Sequence, residues 1–74
     1  MKKQIVRETE YFRITTVVQT PHLQIDCLKA KSSRVRSKVI FFHHDANGYV
    51  VNTIQLTEPA DTKPFFDMIE GEDA

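Results

Sequence analysis

The sequence predicts a small α+β domain: an antiparallel meander of four to five strands, with one short C-terminal helix packed on or beside the sheet. Three observations carry this. Residues 11–56 hold runs of β-branched and aromatic residues that alternate with polar ones. Asn47-Gly48, between two such runs, is a strong hairpin signal, because both residues accept the positive φ angles of a tight turn. After Leu56 the pattern changes to a proline-bearing turn and then to Phe65, Phe66, Met68 and Ile69, an apolar flank at helical spacing. The 74 residues make one domain, 1–74. A chain of this size buries only about 60% of its unfolded surface, so its stability is marginal.

Taken in order, residues 4–8 supply a short edge strand. Residues 11–19 form a strand, with Phe12, Ile14, Thr16 and Val18 as one alternating set. Thr20-Pro21-His22 ends it, because proline lacks the donor a central strand needs. The next strand sets Leu23, Ile25 and Cys27 on one side and Gln24 and Asp26 on the other. Beyond Cys27 the apolar phase slips to Leu28 and Ala30, which is either a β-bulge or the end of the strand. Lys31–Arg34 reads as a loop. Strands then run from about Val35 to His44 and from Tyr49 to Leu56.

Thr57–Pro64 is turn-rich. Asp61 or Thr62 is expected to cap a helix, with Pro64 in its first turn. Gly71 is placed to end it. A helix of about seven residues is unstable alone, so Phe65, Phe66 and Ile69 are expected to dock it on the sheet. The ends, about 1–3 and 71–74, are expected to fray.

A two-residue turn at Asn47-Gly48 fixes a register by counting outward, and a longer turn with a bulge at Gly48 would shift it. Val39, Phe41 and His43 face Leu56, Ile54 and Asn52, and the apolar members of this set are the expected core. On the other side Ile40, Phe42, His44 and Ala46 face Gln55, Thr53, Val51 and Tyr49. Continued toward the N-terminus, that side reads Arg34, Arg36, Lys38, Ile40, Phe42, His44. It is basic at one end and aromatic at the other. Arg34, Arg36, Lys38, Ile40, Phe42, His44, Tyr49 and Val51 are therefore the candidate partner-binding residues.

Charge placement points the same way. Ten basic residues balance ten acidic ones. Nine of the basic ones fall in the first forty positions, a local balance of +6, and the remaining residues carry −6. Such a chain either presents two poles or neutralises itself on folding.

Chemistry has little support. His43-His44-Asp45 resembles a metal cluster, but adjacent strand residues point to opposite faces and cannot share one ion. Cys27 follows Asp26, which raises rather than lowers a thiol pKa. Gly48 and Gly71 are the only glycines, so no phosphate-cradling loop exists. The expectation is a non-enzyme with no catalytic residues, no metal and no cofactor. A single cysteine fits a reducing, cytoplasmic setting. There is no apolar run behind the basic start and none long enough to span a bilayer, so neither a secretory signal nor membrane insertion is expected.

What remains is a binding module of the adaptor or inhibitor kind that mobile genetic elements encode. Its expected partner is a protein, because aromatics beside arginine anchor protein interfaces and dedicated nucleic-acid domains are net basic. The alternative is a single-stranded DNA or RNA binder that stacks bases on Phe42 and Tyr49 and holds phosphates with Arg34, Arg36 and Lys38. The hairpin edge also offers a route to a homodimer.

Overall fold

Each strand pairs antiparallel with the one before it, and no connection crosses the sheet. A computed structural model describes residues 5–72. The elements are β1 (Ile5–Glu8), β2 (Phe12–Gln19), β3 (Leu23–Ala30), β4 (Lys38–His44), β5 (Val50–Leu56) and α1 (Pro59–Glu72). The five-stranded sheet has the order β1-β2-β3-β4-β5. This is the α+β meander with a C-terminal helix that the residue pattern predicts.

Local side-chain chemistry sets the turns. Thr20 donates its N–H to the Leu23 carbonyl at 2.8 Å, and its Oγ1 accepts the Leu23 N–H at 3.0 Å. That clamps the Pro21-His22 corner. At the β4–β5 turn, Asp45 Oδ1 accepts the N–H groups of Asn47 (2.9 Å) and Tyr49 (3.0 Å). Gly48 donates to the Asp45 carbonyl at 3.1 Å and sits at φ 86°. The loop is thus Ala46–Gly48, a three-residue turn with a left-handed glycine, not the predicted two-residue turn. Asp45 decides this by capturing two backbone donors that a tighter turn would leave free.

The longer turn shifts the register by one residue, so His44 faces Val50. An irregularity at Val51 then restores it, and His43, Phe42, Phe41, Ile40 and Val39 face Asn52, Thr53, Ile54, Gln55 and Leu56 as expected. Three further expectations change. β4 begins at Lys38, not Val35, because Ser37 Oγ takes the Ala30 N–H at 2.9 Å and closes the ladder there. The slip after Cys27 is not a bulge, since β3 pairs with β4 without a break from Leu23 to Leu28. The bulge lies in β2, opposite the Ile25–Asp26 step, where Val17 is extra between Thr16 and Val18. It turns Val17 and Val18 toward the core while Phe12, Ile14 and Thr16 face the other side.

The helix is longer than predicted. It spans 14 residues and starts at Pro59, whose fixed φ suits a first helical position. The Glu58 carbonyl accepts from Asp61 and Thr62 at 3.0 and 3.1 Å. Pro64 falls inside the helix rather than in its first turn, and Gly71 and Glu72 remain helical. The buried Thr62 and half-buried Phe65, Phe66 and Ile69 form an i, i+3, i+4, i+7 stripe. That stripe covers β3 and β4. The core beneath it is Ile25, Cys27 and Val39, flanked by Phe41, Leu56 and the helix aromatics. Ile54, an expected core residue, is 55% exposed, because α1 packs on β3 and β4 and stops short of β5. Residues 1–4 and 73–74, which include all of the expected N-terminal frayed end and half of the C-terminal one, lie outside the described residues.

Candidate partner-binding face

Among the described residues, helix docking leaves one face of the sheet uncovered. Strand alternation and register place Ile5, Phe12, Ile14, Leu28, Ile40 and Phe42 on that open face. Ile5 is 48% exposed and the others are half-buried. An antiparallel sheet with one solvated face normally turns polar residues outward. This one turns aliphatic and aromatic residues outward, beside Lys38, whose Nζ lies 5.5 Å from the centre of the Phe12 ring.

At the centre of the same face is a buried carboxylate. Asp26 is 5% exposed. Its Oδ1 accepts the Thr16 hydroxyl at 2.6 Å, Gln24 Nε2 reaches both oxygens at 3.1–3.2 Å, and Arg7 Nη2 lies 3.3 Å from Oδ2. Donors from β1, β2 and β3 thus converge on one residue, and no buried side-chain polar atom is left without a partner among the described residues.

The candidate residues are only partly brought together. Lys38, Ile40, Phe42 and His44 share the open face. Val51 sits at the irregularity and is 58% exposed. Tyr49 pairs with Asp45 rather than Ala46, one step beyond the His44–Val50 pair, so alternation carries it off the face. It stands 70% exposed at the hairpin tip. Arg34 and Arg36 belong to the 31–37 loop, not to the strand. Arg36 Nη1 lies 3.8 Å from Glu58 Oε1, at the foot of the helix. The basic-to-aromatic stripe is therefore broken between Arg36 and Lys38.

Sequence reasoning missed Ile5, Phe12, Ile14, Leu28 and the Asp26 network. The signal was present in β3, where Ile25 and Cys27 are apolar on one side and Leu28 and Ala30 on the other. A strand apolar on both sides is covered on both sides, or is available to be.

Charge is partly neutralised on folding. A groove of about 370 Å³ between helix and sheet is lined by Lys29, Arg36 and Lys63 on one hand and Asp67 and Glu70 on the other. Lys29 Nζ lies 5.1 Å from the Phe66 ring centre, and Lys63 bonds Asp67 at 2.6 Å. The acidic helix thus lies beside the basic segment rather than at an opposite pole.

His43 and His44 fall on opposite faces, and among the described residues no three His, Cys, Asp or Glu side chains gather as a metal-holding group. Among them also, no helix is long and apolar enough to cross a membrane. Cys27 is fully buried, and burial, with Asp26 second, pushes its thiol from 9.0 to about 11. Between those values the unfolded chain has lost a proton that the folded chain keeps, so stability falls as pH rises. The expected loss from pH 9 to 11 is about 2–3 kcal/mol, at ~1.4 kcal/mol per unit. Urea titrations across that range check it. Cys27→Ala should flatten the alkaline slope, and an unchanged slope would assign the loss to other groups.

No protein-family model, curated protein or solved structure matches this chain.

Proposed function

We propose that this protein is a non-enzymatic binding module that docks a protein partner on the open face of its sheet. The observation that carries this reading is the uncovered apolar surface of Ile5, Phe12, Ile14, Leu28, Ile40 and Phe42. Apolar side chains set around the buried Asp26 network, with Lys38 and Arg7 beside them, have the make-up of an interface that combines apolar anchors with polar groups. The thin core adds to the argument. Among the described residues the buried hydrophobics are Ile25, Cys27 and Val39, so this domain gains from covering a second face.

The nucleic-acid alternative needs cations and rings on one surface. Arg34 and Arg36 lie off the face and Tyr49 turns away from it, which favours a protein. An adaptor or inhibitor in a reducing, cytoplasmic compartment is the role that fits a buried free thiol in a small domain.

The test is capture from the native host with and without nuclease, repeated with face variants. Phe42→Ala and Ile40→Ala are expected to reduce nuclease-resistant capture at least tenfold while the melting transition stays cooperative. Tyr49→Ala, off the face, should have a smaller effect. Capture that disappears with nuclease, falls steeply with salt and is lost in Lys38→Glu would replace this reading with nucleic-acid binding.

A further inference from the structure

The two edges of the sheet differ in kind. β1 carries Arg7 and Glu8, so it is a charged edge. β5 is seven residues long, Val50–Leu56, and contains no charged residue and no proline. Val50, Val51 and Ile54 along it are 52%, 58% and 55% exposed. Natural edges are usually blunted by shortness, charge or proline. β1 is blunted, and residues 52–56 of β5 are not.

We propose that β5 pairs antiparallel with β5 of a second copy, joining two sheets across a two-fold axis at Ile54. Several observations select that occupant and register. Residues directly opposite in an antiparallel ladder share a sheet face, so the axis must fall on a residue of β5. An axis at Thr53 would set Asn52 against Ile54. An axis at Asn52 would set Ile54 against Val50, which the irregularity at Val51 turns to the other face. Only an axis at Ile54 brings the two exposed isoleucines together, on the helix side of the sheet where α1 stops short of β5. The strand is uncharged, so self-pairing opposes no like charges. The charged β1 edge disfavours head-to-tail β5–β1 pairing, so association closes at two copies instead of growing a fibre. Clearance is adequate: α1 lies over β3 and β4, which puts the two helices about four strand spacings, roughly 19 Å, apart.

The dimer is a continuous ten-stranded sheet, two copies of the five-stranded one, with both helices on one side and both open faces on the other. It makes the face bivalent without being needed for it, so the two proposals fail separately. Sedimentation of the full chain tests it. Wild type should associate reversibly to twice the 8.6 kDa chain mass, with an affinity indifferent to salt. Ile54→Lys should weaken association at least tenfold and leave the far-UV spectrum and melting temperature unchanged. A wild type that stays monomeric at about 0.5 mM, where even a millimolar Kd leaves a visible dimer fraction, overturns the proposal. So does a dimer that survives Ile54→Lys but dissociates in Phe42→Lys, which would put the contact on the open face.

Discussion

Replacing Asp26 with alanine is expected to destabilise the fold by about 2–4 kcal/mol, the cost of removing a hydrogen-bonded carboxylate and leaving its donors unmet. The Thr16 hydroxyl, 2.6 Å from Asp26 Oδ1, is itself buried and has no other acceptor on that face among the described bonds. Gln24 loses both of its carboxylate contacts. Arg7 is half exposed and turns to water, so its 3.3 Å contact adds little to the loss. For a 74-residue chain total stability is about 4–11 kcal/mol, so the variant sits close to the unfolding threshold. Denaturant titration reads the loss. Asp26→Asn keeps the shape but sets an amide N–H₂ against other donors, and should fall between alanine and wild type. If alanine costs less than about 1 kcal/mol, water has replaced the carboxylate and the network is not a structural pin.

Phe65→Ala is expected to release the helix from the sheet. Phe65 meets Phe41 edge-on, with ring centres 5.7 Å apart at 75°. The helix meets the sheet mainly over β3 and β4, through a stripe that includes Phe65. Free of the sheet, a 14-residue helix with Pro64 inside it is below the length at which helices hold themselves. A half-buried phenylalanine truncated to alanine costs about 2–3 kcal/mol, a fall in melting temperature of roughly 10–20 °C for a domain of this size. The far-UV signal at 222 nm should fall before the sheet melts. A single transition that keeps its helical signal would show that Phe66 and Ile69 hold the helix without Phe65.

These two residues also mark what could be read from the sequence. Phe65, with Phe66 and Ile69, is legible as a docking residue because helical spacing after a proline-rich turn has one physical meaning. Asp26 is not. A carboxylate between Gln24 and Cys27 looks like a solvated outward residue. Its donors, Arg7 and Thr16, come from strands ten to nineteen positions away in sequence, and only the register brings them together. The site was half legible for the same reason. Ile40 and Phe42 are legible as sharing one face because β4–β5 pairing is local. Phe12, Ile14 and Leu28 were missed because they join that face through β2 and β3. Tyr49 was misplaced because one carboxylate, Asp45, lengthened a turn.

By itself the sequence determined what local forces decide: alternation in the strands, the positions of the corners, the apolar stripe of the helix, and the split of charge between the two halves. The tertiary structure alone decided which face the helix covers, and hence which apolar side is core and which is surface. It also decided that the acidic helix lies beside the basic loop, so the charge split is partly spent within the fold. Both outcomes rest on contacts distant in the chain, where the free energy of docking one fourteen-residue helix selects between two sheet faces that are each apolar enough to receive it.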